Sequence, residues 1–245
     1  MAQILVQNGF IVAAVDHWGN TFDNKIPIEF VKPWERPLDI SFALTNLLRD
    51  PEIEKTIDQT KIGAAGFSYG GYTVIALAGG ILDYQELIRF YQSVGKKEIE
   101  TPEMSGSGKF LTDTTLLKKM KHVPALKDNR INSFFAISPV LAAGFKKVEQ
   151  VKSINQPVYI VGSRSDSIAP VKTNAQHYHQ LIRGSQYFEF PEKTGHYVML
   201  NEANDVVKKE APFLFTDSAG VDRHQVHIQV GSLATSFFRK SLHTN

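Results

Sequence analysis

The sequence predicts an α/β fold: a mostly parallel sheet covered by helices on both faces. Three observations carry that expectation. Short apolar, β-branched runs alternate with segments that read as amphipathic helices. The strand-like runs are apolar throughout rather than alternating, as strands covered on both faces are. A length of 245 residues suits one large α/β domain.

Each element follows in order. FIVAAVDH (10–17) has the pattern of a buried parallel strand. A loop rich in Asn, Pro and aromatics follows. Pro37 is then well placed as a first helical residue, and Leu38, Phe42, Leu44, Leu47 and Leu48 give the next helix an apolar face. KIGAAGF (61–67) reads as a strand, with YGGYTVIALAGGIL as the helix behind it. INSFFAISPV (131–140), QPVYIVGS (156–163) and QYFEFPE (186–192) are further strands. A helix is expected around 168–183, and residues 221–242 read as a closing helix. The stretch 83–128 breaks the alternation with a charged helical piece, a flexible SGSG and a Lys-rich helical piece. It is far longer than an ordinary connection. It is expected to be an insertion over the C-terminal edge of the sheet, either a lid or pocket wall or a peripheral decoration. The whole chain, 1–245, is expected to be one domain.

Composition narrows the chemistry. Hydrophobic residues make up 42% and charged residues 21%, as in ordinary globular proteins. The formal net charge is only +2, and the basic residues are scattered, so no nucleic-acid surface is expected. The longest apolar runs are much shorter than a membrane span. With no cysteine, a thiolate nucleophile, a disulfide framework and a Cys-ligated zinc are all excluded. No signal peptide is visible at the N-terminus. The chain therefore reads as cytoplasmic as it stands, and as periplasmic or secreted if a preceding segment carries a signal.

Gly66-Phe67-Ser68-Tyr69-Gly70 matches G-x-S-x-G, in which a serine is held on a strained strand-to-helix turn. Both flanking glycines are expected to be needed for close approach of the chains. A serine needs a base within hydrogen-bond reach and a carboxylate that orients the base. Asp166, past the strand at 156–163, and His196, past the strand at 186–192, supply the order Ser, Asp, His. Asp166 is also placed to cap the following helix. His196 competes with seven other histidines. His177 and His179 diverge on a helix, His224 and His227 share a helix face without a third ligand, and His122 and His243 have no supporting context. His17 and its neighbour Trp18 are candidate pocket residues. The backbone N–H of Tyr69 is the expected oxyanion donor.

With these residues assembled, the chain resembles the α/β-hydrolase superfamily. Within it, the likeness is to bacterial proteins labelled predicted dienelactone hydrolases, related to platelet-activating-factor acetylhydrolases. NGFIVAAVDHWGNTF, WERPLDISFALTNLL, GFSYGGYT, RINSFFAISP, VGSRSDSIAP, KTGHYVML and GVDRHQVH carry the resemblance, in that order. It implies the α/β-hydrolase fold, an ester substrate of small-molecule size, and catalysis without metal or organic cofactor. Dienelactone hydrolases proper use a cysteine nucleophile, so the label does not transfer as a substrate. The family's first strands and the loop giving the second oxyanion donor have no counterpart here. The fold is therefore expected to be N-terminally truncated, with a start codon placed too late as the expected reason. The missing strand would leave a gap between the strands at 10–16 and 61–66, so either these two pair directly or the chain is a fragment of a longer protein.

Three functions follow: a serine esterase, a serine peptidase of the prolyl-oligopeptidase type, and a catalytically weak binding module on a hydrolase fold. The elbow SYGGY is common to the second class, but no propeller or substrate-gripping charged cluster is visible in the sequence.

Overall fold

A computed structural model describes residues 1–21, 23–99, 101 and 104–243. In chain order the elements are α1 (Ala2–Gln7), α2 (Glu35–Leu47), β1 (Gly63–Phe67), α3 (Tyr69–Ala78), α4 (Tyr84–Tyr91), α5 (Lys96–Ile99), α6 (Thr114–Met120), β2 (Ser133–Ile137), β3 (Val158–Ser163), α7 (Ala175–Leu181), β4 (Gln186–Phe190), α8 (Asp205–Glu210), α9 (Pro212–Phe215) and α10 (Arg223–His243). The strands form one parallel sheet in the order β1-β2-β3-β4.

Alternation along the strands splits the core into two layers. Phe134 and Ala136 of β2 and Val158 and Ile160 of β3 point to one face, where they meet α3, α4 and α7. Phe135, Ile137 and Val161 point to the other face. There Val226, Val230, Ala234, Phe237 and Phe238 of α10 cover them, repeating at the three- and four-residue spacing of a helix stripe. Every residue from Gly71 to Ala78 of α3 is buried, as expected of a helix apolar on all sides. It ends at Gly79, whose φ of 115° is the left-handed value that releases the chain from a helix.

The strand expected at 10–17 does not form. Residues 11–14 are exposed, Ile11 at 64%, and β1 is left as an edge of the sheet. The reason lies in what holds the segment. Phe10 packs on Phe238 of α10, on one face, with ring centroids 6.2 Å apart. His17 hydrogen-bonds Asp39 of α2, which packs with α3 on the other. The segment thus runs from one face to the other instead of lying alongside β1. An apolar run becomes a strand only when a neighbour offers its backbone about 4.8 Å away. The direct pairing of 10–16 with 61–66 does not occur.

Other elements differ from expectation in detail. Helix α2 begins at Glu35, so Pro37 lies in its first turn rather than at its first position. Its apolar face is incomplete, because Phe42 is 71% exposed. Only 175–181 of the helix expected over 168–183 is helical. Within 83–128, α4 buries Tyr84, Leu87, Ile88 and Tyr91 in the first core layer. The Tyr84 hydroxyl donates to the Val31 carbonyl at 2.5 Å, and Asp83 caps the helix through the Glu86 N–H. No helix among the described residues is long and apolar enough to cross a membrane.

The register places the loops. Phe67 pairs with Ile137, Ile137 with Val161, and Ser163 with Phe190, so all four strands end at one edge. Ser68, Asp166 and His196 all follow strand ends there, where open α/β sheets collect their functional groups.

Candidate active site

Ser68 is the turn between β1 and α3, with φ 56° and ψ −113°. A non-glycine residue at such an angle costs on the order of 1–3 kcal/mol, so the surroundings must hold it. They do so by backbone bonds. The Ser68 N–H donates to the Ile137 carbonyl at 2.8 Å, and its carbonyl accepts from Tyr72 N–H and Val140 N–H. The Val140 loop is itself strained, with φ 41° at Ser138 and 63° at Leu141.

The glycine requirement differs from the expectation. A side chain at Gly66 would collide with the Gly70 backbone, whereas one at Gly70 would meet nothing. The second position that needs glycine is Gly71, where a Cβ would lie 2.8 Å from Pro139 Cα and 3.0 Å from the Ile137 carbonyl. The motif flags Gly70, but the packing of α3 against the end of β2 singles out Gly71.

Asp166 and His196 reach Ser68 from the neighbouring loops. His196 Nε2 lies 2.9 Å from Ser68 Oγ, and His196 Nδ1 lies 2.7 Å from Asp166 Oδ2. The two side chains are 2% and 1% exposed. The other oxygen of Asp166 accepts the Ile168 and Ala169 N–H groups at 3.0 and 2.7 Å. Asp166 thus caps the turn that follows it and also faces the histidine. Lys193 N–H donates to Ser165 Oγ at 2.9 Å, tying the histidine loop to the aspartate loop. The Phe67 ring packs on the imidazole at 4.7 Å between centroids.

As the first residue of α3, Tyr69 presents one of the N–H groups that a helix cannot satisfy internally, and no described residue accepts it. The Tyr69 phenol points inward and donates to the Phe30 carbonyl at 3.1 Å, and burial pushes its pKa up.

His17 and Trp18 part company. His17 Nδ1 is 2.8 Å from Asp39 Oδ2, and its pKa is lowered, chiefly by burial, with the Asp39 hydrogen bond opposing. Trp18 is 74% exposed. Four other histidines hold local partners instead: His177 the Phe145 carbonyl, His179 the Ser185 hydroxyl, His224 Glu202 and His227 the Val198 carbonyl.

Two charged residues beside the site were not singled out by the sequence. Arg36 lies over the Tyr69 ring at 4.6 Å and bonds Asn20, with its Nε buried and unpartnered. Glu98 of α5 is half-buried, and burial first and the Asp166 charge second push its pKa up to about 7. Arg36 sits within the W-E-R-P-L-D stretch, but nothing in that pattern says that it stacks on Tyr69. Glu98 has no sequence signal, since its place depends on how the insertion folds back. A surface recess of about 580 Å³, on Leu82, Asp83, Leu117, Lys146 and Gln150 among others, includes none of the three residues around Ser68.

No family model matches the sequence, and no curated protein matches it. Solved structures do. An acylaminoacyl peptidase of Pyrococcus horikoshii is similar over 87% of this chain, with a TM-score of 0.47 and 18% identity. A puromycin hydrolase is similar over 86%, with a TM-score of 0.45 and 13% identity. The chain spans 29% of the length of the first and 25% of the second. The protein is an α/β chain with a four-stranded parallel sheet, and its likeness to these two solved structures is distant.

Proposed function

We propose that this protein is a serine hydrolase that cleaves carboxylic esters through an acyl-enzyme. The supporting observation is the chain of contacts Ser68 Oγ–His196 Nε2–His196 Nδ1–Asp166, buried at the end of the sheet with Ser68 held at a positive φ. Ser68 Oγ attacks the ester carbonyl while His196 Nε2 takes its proton. The tetrahedral intermediate collapses with loss of the alcohol, which receives that proton from His196. Water, deprotonated by the same nitrogen, then cleaves the acyl-serine, and the proton returns to Ser68. Asp166 keeps Nδ1 protonated, so that Nε2 is free to act as base, and stabilises the imidazolium.

The Tyr69 N–H is one oxyanion donor. An oxyanion hole with one donor in place of two runs on the order of 10²–10³ slower. A dienelactone-hydrolase-like or acetylhydrolase-like esterase is the family reading that the sequence motifs support. No metal or organic cofactor enters the mechanism.

A serine peptidase of the prolyl-oligopeptidase type is the second reading, because Ser68 stands in S-Y-G-G-Y. The solved structures carry peptidase and hydrolase names, and at their TM-scores those names decide nothing between the two readings. Faster cleavage of an aminoacyl-naphthylamide than of a naphthyl ester selects the peptidase. A fluorophosphonate probe tests both at once. Labelling of wild-type protein that Ser68→Ala abolishes is expected. Folded protein that takes no label leaves a binding module.

A further inference from the structure

We propose that the recess of about 580 Å³ between α4, α6 and residues 144–150 binds an amphipathic carboxylate, an apolar chain ending in a carboxylate such as decanoate. The inference goes beyond the serine-hydrolase reading and does not depend on it.

The recess is built by hydrogen bonds between segments far apart in the chain. Ile81 N–H donates to the Gln150 carbonyl at 2.8 Å, and Asp83 N–H to the Gly144 carbonyl at 3.0 Å. The Gln150 side chain closes the same joint. Its amide nitrogen donates to the Ile81 and Gly144 carbonyls at 2.8 and 2.7 Å, and its oxygen accepts the Lys146 and Lys147 N–H groups at 2.7 and 3.0 Å. Phe145, next to the two lysines, and Leu116 of α6 are buried in the first core layer, so both of these walls are anchored. The recess is therefore formed without a ligand. Its size lies within the roughly 300–1,000 Å³ usual for small-molecule sites.

The lining is of two kinds. Ile81, Leu82, Leu117 and Met120 offer apolar surface, and Ile81 is 62% exposed, a large aliphatic side chain left uncovered. Lys121, Lys146 and Lys147 also line the recess, and no described residue pairs with any of their ammonium groups. The two acids of the lining are already engaged. Asp83 accepts the Glu86 N–H at 3.0 Å, and Glu86 pairs with Arg89 at 2.6 Å. The charge left to be met is thus positive. Lysines hold a carboxylate by charge-assisted hydrogen bonds, and the aliphatic lining gains from being covered by a chain. A neutral alcohol satisfies only the second demand and a short acid only the first. A chain ending in a carboxylate satisfies both.

Calorimetric titration of the whole chain with decanoate, 1-decanol and butanoate tests this. Decanoate is expected to bind at one site, and the neutral alcohol and the short acid at least about tenfold more weakly, for want of a charged partner or of most of the chain. Replacing both Lys146→Gln and Lys147→Gln should weaken decanoate about ten- to a hundredfold and leave 1-decanol unchanged. Ile81→Asn should weaken both ligands alike. These three residues are exposed, so the variants are expected to unfold in urea at the wild-type midpoint. No binding of decanoate by the wild type, equal binding of decanoate and 1-decanol, or decanoate binding untouched by the lysine changes would overturn the inference. So would binding to phosphatidylglycerol vesicles with none to monomeric decanoate, which would make this a membrane-facing patch. Every readout is of binding rather than turnover, so the result stands whether or not Ser68 takes the fluorophosphonate.

Discussion

Two apolar runs of the chain are nearly interchangeable on paper and opposite in the fold. SFFAI, at 133–137, is the interior strand β2, hydrogen-bonded on both sides, with every residue buried. FIVAAV, at 10–15, has similar composition, yet it joins no strand and is mostly exposed. Hydrophobicity brought both into consideration as strands. What separates them is whether another backbone lies alongside. Residues 133–137 have β1 and β3, whereas 10–15 is pinned at its ends to helices on opposite faces. The site sits wholly on the paired part, at the ends of β1, β3 and β4.

The sharpest way to exploit that contrast is at the site. Asp166→Asn should keep the fold and lower kcat by about 10⁴, because an amide donor at that position favours the wrong imidazole tautomer. Steady-state ester hydrolysis measures it, and a drop of less than tenfold would mean that the aspartate is only a cap. Next in size is the paired run itself. Phe134→Ala removes a fully buried ring and should destabilise by about 3–5 kcal/mol in urea titration. At the elbow, Gly71→Ala forces a methyl against Pro139 and the Ile137 carbonyl, for about 1–3 kcal/mol and weakened Ser68 labelling. Gly70→Ala, the motif's own position, should label as the wild type does. Smallest of all, Val12→Ser on the unpaired run should shift stability by less than about 0.5 kcal/mol. Amide exchange reads the same comparison without mutation. The amides of 134–137 should exchange only on global opening, and those of 11–14 within seconds to minutes. Protected amides at 11–14 would show that the run has found a strand partner.

Several features of the molecule were legible in the sequence because they depend on near neighbours. The four strands that form and the all-apolar α3 were announced by continuous apolar runs of different length, and the long α10 by its helix-like pattern. So was the serine turn, since G-x-S-x-G describes a steric condition within five residues. The order Ser, Asp, His with each residue after a strand was enough to nominate Asp166 and His196 from among many acids and eight histidines. Tertiary structure decided the rest. It left 10–17 outside the sheet, because ladder bonding is a property of two segments and neither encodes the other. It moved the second glycine requirement from Gly70 to Gly71, because the obstacle belongs to β2, far along the chain. It turned Trp18 to solvent, laid Arg36 over the Tyr69 ring and half-buried Glu98 in the insertion, since such placements follow from how a loop and an insertion fold back. Sequence by itself nominated Ser68, Asp166 and His196; only the fold decided that they meet and what surrounds them.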